Sequence, residues 1–101
     1  MPRFYRVQPK GMKLFGHRSK LGAEPVGGVF AFENPDTLFG TYSWIHISKQ
    51  LPKYEMVEFE GRLLESPADS EGVVVEPLRE IQRSPMLEWL PANGYLAIIT
   101  R

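Results

Sequence analysis

The sequence predicts a small α+β domain: a mostly antiparallel sheet of about five strands with one main helix and one short helix. Three observations carry this. Between Tyr54 and Glu76 a two-residue alternation sets Val57, Phe59 and Leu63 against Glu58, Glu60 and Arg62, the mark of a strand with one dry and one wet face. The run Asn34-Pro35-Asp36-Thr37 carries the signals of a helix start. The 101 residues, 43% hydrophobic and 12% aromatic, suffice for one core and leave no room for a second, so 1–101 reads as a single domain.

Taken in order, Arg3 to Gln8 alternates Phe4 and Arg6 with Tyr5 and Val7 and reads as a first strand closed by Pro9 and Gly11. From Lys10 to Gly28 no period is sustained, and the glycines there predict a long surface loop. Val29 to Phe32 follows as a short buried strand. At Asn34 the side chain can cap free amides, Pro35 fits the first helical position, and Asp36 complements the helix dipole. That helix is expected to run to about Lys49 and to end before Pro52, although Gly40 and the β-rich TYSWIHIS speak for a break.

The central pair comes next. Gly61 interrupts the dry side of its first strand, Ser66 to Gly72 supply turn residues, and Val73-Val74-Val75 begins the return strand, so the two read as an antiparallel hairpin. Pro77 disturbs pairing, and Leu78 to Arg83 continues the strand beyond a bulge. Ser84-Pro85 repeats the cap-plus-proline signal before a short helix at Met86 to Leu90. Pro91 to Gly94 forms a turn, and Tyr95 to Thr100 a final strand.

Charge is zero in total but uneven. Met1 to Ala23 holds Arg3, Arg6, Lys10, Lys13, Arg18 and Lys20 with no acid, about +6, while the rest of the chain carries about −6. Two accounts fit. Either the basic segment 3–20 binds a phosphate-bearing ligand, or it lies against Glu58 and Glu60 and balances them. There is no Cys, hence no disulfide, thiolate metal site or Cys nucleophile. No apolar run approaches the length of a membrane span and the first residues lack a signal peptide's apolar core, which predicts a cytoplasmic protein that does not enter the membrane.

The motifs of phosphate loops, dinucleotide folds, nucleophile elbows and helical zinc sites are missing. His46, in an apolar run, reads as a partly buried structural residue. His17, in the basic loop, is the better candidate for chemistry. The carboxylates Glu55, Glu58 and Glu60 read as a solvated strand face, and Trp44 and Trp89 as core.

One arrangement suggests a sharper function. Tyr5-Arg6 on the first strand, Gly28-Val29-Phe30-Ala31-Phe32 followed by Asn-Pro-Asp and a helix, and Glu76 late in the valine-rich strand resemble the order of elements in ADP-ribosyltransferase-like proteins. The resemblance implies an NAD-binding protein in which Arg6 holds the cofactor, Tyr5, Phe30 or Tyr42 stacks on nicotinamide, and Glu76 is catalytic. His17 would join the cofactor-binding set. A carboxylate aimed at developing positive charge in a dry pocket is worth on the order of 3 kcal/mol.

The competing structural account makes Phe30 and Phe32 core, pairs Arg6 with a glutamate on the neighbouring strand, and leaves Glu76 at an exposed strand end. Two further classes stay open. One is a nucleic-acid-binding module using the basic 3–20 segment, with Phe15 or His17 stacking on a base. The other is a non-catalytic protein-interaction module, such as an inhibitor, toxin or phage accessory protein, that meets a partner or a second copy through a strand edge or an apolar patch, for instance around Phe39, Tyr42 and Trp44.

Overall fold

A computed structural model describes residues 2–13, 28–66 and 72–95. Its frame is the hairpin that the alternation announces. β3 (Tyr54–Glu65) and β4 (Val73–Pro85) pair antiparallel from Glu55 opposite Pro85 to Glu65 opposite Val74. β1 (Arg3–Pro9) pairs antiparallel with β3, Arg6 opposite Val57, and β2 (Val29–Ala31) pairs antiparallel with β4, Phe30 opposite Val74. The sheet order is therefore β1-β3-β4-β2. The sheet curls until its two outer strands meet: the backbone of Tyr5 exchanges hydrogen bonds of 2.8 and 2.9 Å with that of Phe32.

Curling gives the sheet a concave and a convex face, and strand alternation sorts the side chains between them. The concave face holds Phe4, Val29, Ala31, Val57, Phe59, Val73 and Val75 as one apolar cluster. The convex face carries Val7 and Met56, which join Leu38, Trp44, Leu51, Met86, Trp89 and Leu90 under the helices. Gly61 belongs to the concave side, where a Cβ would stand 2.4 Å from Val75 Cγ1 and 2.8 Å from the Glu76 carbonyl oxygen. The gap in the apolar alternation at Gly61 is thus the place where β4 comes too near for any side chain. Bulges between Glu58 and Phe59, Glu60 and Gly61, and Leu63 and Glu65 absorb the curl.

Asn34 caps the first helix as expected: its Oδ1 accepts from the Thr37 backbone N–H at 2.8 Å and from the Thr37 hydroxyl at 2.9 Å. The helix does not reach Lys49. α1 (Pro35–Phe39) ends where the Gly40 N–H turns back to the Asp36 and Thr37 carbonyls, and α2 (Tyr42–Ser48) restarts from an extended Thr41. The Thr41 hydroxyl donates to the Leu38 carbonyl at 2.9 Å, so side chain and glycine together stop one helix and aim the next. A single 3-10 turn, Leu51–Lys53, leads into β3.

β4 runs through Pro77 without a break, and Ser84 stays in the strand, so it is no helix cap; α3 (Met86–Ala92) begins directly after Pro85. α3 ends with Gly94 at φ +86°, the Tyr95 N–H bonding the Leu90 carbonyl at 2.8 Å and the Gly94 N–H the Pro91 carbonyl at 3.3 Å. This glycine-dependent closure swings Tyr95 back over the helix, where its ring stacks on Trp89 at 5.6 Å.

Several expectations are therefore corrected. Among the described residues there are four strands where about five were expected, and three short helices where one main and one short helix were expected. Most of the expected final strand, 96–100, lies outside the described residues, and Tyr95 itself belongs to the helix ending. Glu55 and Glu58 are 7% and 8% exposed and lie on opposite faces, so they form no solvated row. His46 is exposed, while Trp44 is buried with Phe39 packed edge-on at 4.7 Å, so Trp44 contributes nothing to the apolar surface patch expected there. Trp44 and Trp89 are core, as expected.

Candidate functional site

Polar side chains enter the concave face where the apolar cluster ends. Arg6, Gln8 and Glu55 follow Phe4 and Val57 on that side, and all three are buried. They form a connected series with Arg83 of β4. The Arg6 guanidinium donates from Nη1 to the Phe30 carbonyl at 2.9 Å and from Nε to Gln8 Oε1 at 3.0 Å. Gln8 Nε2 donates to the Met12 carbonyl at 2.7 Å, and Arg83 Nη1 reaches the same oxygen at 2.7 Å. Arg83 also pairs with Glu55 at 2.5 Å and with Glu80 at 2.6 Å. Its pKa is raised further, first by the Glu80 hydrogen bond, against the opposing effect of burial. With two guanidiniums facing two carboxylates this series is neutral, and it fastens the turn at residues 10–12 across the mouth of the sheet.

The residues implied by the ADP-ribosyltransferase resemblance are distributed over both faces. Arg6 is on the concave side and touches the Phe30 backbone, which brings those two together. Tyr5, Phe30 and Glu76 belong to the convex side: Tyr5 stands opposite Glu58, Phe30 opposite Val74, and Glu76 opposite Arg62. Phe30 and Glu76 are diagonal neighbours there. Glu76 is held by Arg62 Nη2, which donates to both carboxylate oxygens at 2.9 Å. Arg6 and Glu76 therefore do not meet on one side of the sheet. Tyr42 opens α2, its side chain outside the described set, and His17 lies outside the described residues, as does the rest of the basic segment from 14 to 20.

Three further features stand apart from that set. The first is a set of leucines on the half of the β3–β4 ribbon that extends past β1: Leu63 (opposite Val75 on the concave side), Leu64 and Leu78 are 47%, 46% and 47% exposed. The adjacent pair Leu63-Leu64 breaks the alternation, a signal the sequence did contain.

The second is Glu58, in the middle of β3 between Tyr5 of β1 and Gln82 of β4. Farther along the same face Glu60 accepts from Arg79 at 2.5 Å, and that bond holds its carboxyl below the usual range.

The third is a pair at the end of the helical layer, where the Tyr95 hydroxyl donates to Asp36 Oδ1. Desolvation, with the neighbouring carboxylate second, pushes the Tyr95 phenol up to about 12.

Among the described residues no group of three or more His, Asp and Glu is placed to hold a metal ion, and no helix is long and apolar enough to cross a membrane. Comparison with family models, with curated proteins and with solved structures finds no match to this chain.

Proposed function

We propose that this chain is a non-catalytic protein-interaction module that meets its partner through the extended half of the β3–β4 ribbon. The observation that supports it is the trio Leu63, Leu64 and Leu78, each nearly half exposed, on a ribbon that β1 leaves uncovered on one side beyond Glu60. Full burial of a leucine is worth about 1.5–3 kcal/mol, so covering the exposed halves of three contributes roughly 3 kcal/mol, about a hundredfold in affinity. Flanking pairs, Arg62 with Glu76 and Arg79 with Glu60, supply the polar rim that such contacts carry.

The ADP-ribosyltransferase-like reading asks for something else: Arg6 and Glu76 facing one cleft. Its support is confined to the Arg6–Phe30 contact.

The two readings separate in one comparison of the wild type with a Leu63→Ser, Leu64→Ser, Leu78→Ser variant. Sedimentation velocity and affinity capture should find an assembly that the wild type forms and the variant loses, with NAD leaving the melting temperature of both unchanged. A ligand at 100 times its Kd adds about 2.7 kcal/mol, which a thermal scan resolves easily. A shift of that size with NAD, or identical behaviour of the two proteins, refutes the interaction reading.

A further inference from the structure

We propose that the surface around Glu58 on the convex face, between Tyr5 and Gln82, is a binding site for an organic cation, the guanidinium or ammonium of an arginine- or lysine-type group. Glu58 is 8% exposed and belongs to the central strand β3, yet its carboxylate takes part in no ion pair and no hydrogen bond. The other partly shielded carboxylates of β3 and β4 behave differently. Glu55, Glu60, Glu76 and Glu80 each hold an arginine: Arg83, Arg79, Arg62 and Arg83 respectively. Its oxygens keep an opening to water, and a carboxylate shielded this far by its neighbours gains from an added N–H donor or cation.

Among the described residues Arg79 is bonded to Glu60 and Arg83 points to the concave side, while Arg3, opposite Glu60 and diagonal to Glu58, makes no ion pair with either. The neighbours suit an incoming cation. Directly across on β1 stands Tyr5, whose ring can take a guanidinium or ammonium against its face. Across on β4 stands Gln82, whose amide nitrogen is turned to Ser84 Oγ at 3.2 Å, which leaves its carbonyl oxygen as an acceptor. A carboxylate, an amide oxygen and an aromatic ring are acceptors for N–H groups and offer nothing to an anion.

The site is separate from the leucine ribbon, and its test does not use the ribbon. The probe is Nα-acetyl-arginine amide, titrated into the 15N-labelled full chain, with the neutral isostere Nα-acetyl-citrulline amide as control. Saturable amide shifts at Tyr5, Glu58 and Gln82 are expected with the arginine compound, with a Kd on the order of 10 mM or tighter, as befits one ion pair at the protein surface. The citrulline compound and the variant Glu58→Gln should each bind at least tenfold more weakly.

A peptide, acetyl-Leu-Arg-Leu-amide, distinguishes the sources. Binding tenfold tighter than the single residue assigns the cation to a protein side chain; equal binding assigns it to a small molecule. Absence of saturable shifts, equal response to citrulline, or undiminished binding by Glu58→Gln overturns the proposal. Should Glu58→Gln not fold, the citrulline comparison on the wild type decides alone.

Discussion

Replacing Gly61 by alanine tests the close approach of the two long strands. Glycine in a strand interior ordinarily weakens it, and Gly→Ala at a compatible site stabilises by about 0.4–1 kcal/mol through the unfolded chain. Gly61 has no positive φ, so backbone conformation would not oppose the change. Space does. The new Cβ would stand 2.4 Å from Val75 Cγ1, 2.8 Å from the Glu76 carbonyl oxygen and 3.4 Å from Phe59 Cε2.

Val75 and Phe59 are fully buried, and the oxygen is backbone, so relief requires moving β4 away from β3. Overpacking of a tight core costs about 1–3 kcal/mol, larger than the entropic gain, so the net sign is destabilising by roughly 1–2 kcal/mol. For a domain of this size that lowers Tm by roughly 4–15 °C. Urea unfolding of Gly61→Ala, Val75→Ala and the double variant measures it. Val75→Ala removes the nearest atom, so the double variant should lose less than the sum of the singles, while the carbonyl contact persists. A Gly61→Ala protein as stable as the wild type, or more so, would refute the strand spacing on which the curled sheet rests.

Three further outcomes follow from the same geometry. Arg83→Ala leaves Glu55 buried without its cation and takes one of two donors from the Met12 carbonyl, and should cost about 2–3 kcal/mol in urea unfolding, more than Glu55→Gln, which leaves Arg83 still paired to Glu80. Asn34→Ala removes the acceptor for the Thr37 N–H and should cost about 1 kcal/mol, with the loss confined in hydrogen exchange to α1. Tyr95 has a folded-state pKa raised to about 12, above the ordinary phenol value of 10, so its contribution is complete below pH 10 and is lost as the pH rises through 12. Phenolate absorbance should show one tyrosine titrating late, and Asp36→Asn should bring it down; four tyrosines titrating together would contradict the pair.

The parts of the fold visible in the sequence are those decided by neighbours in the chain. The alternation of Val57 and Phe59 with Glu58 and Glu60, and the turn-forming residues after Glu65, identify the hairpin because both signals are local. Asn34-Pro35 likewise fixes a helix start through bonds that reach only to Thr37.

The misread features depend on residues far apart in sequence. Glu58 looks like a solvent residue until Tyr5 and Gln82 arrive on either side of it. The break at Gly40 needed the Thr41 hydroxyl to choose the Leu38 carbonyl, a choice that helix propensity does not express. The candidate site was the least legible part. Residue type alone suggested that Arg6 and Glu76 work together, and a parity of strand positions, fixed only by the observed register and its bulges, puts them on opposite sides of the sheet.

The pairing of the first strand with the third also governs how the chain is made. Arg6 lies against Val57, so β1 emerges during synthesis long before the strand that receives it. At 5–20 residues per second the wait is roughly 3–10 s, during which the Arg6 and Gln8 side chains remain hydrated instead of bonded to Phe30 and Met12. The hairpin, by contrast, joins close neighbours and closes soon after its second arm appears. Assembly is therefore gated by the return of an arm made well before its partner, and slowed translation before Val57 lengthens the interval in which that arm is open to chaperones.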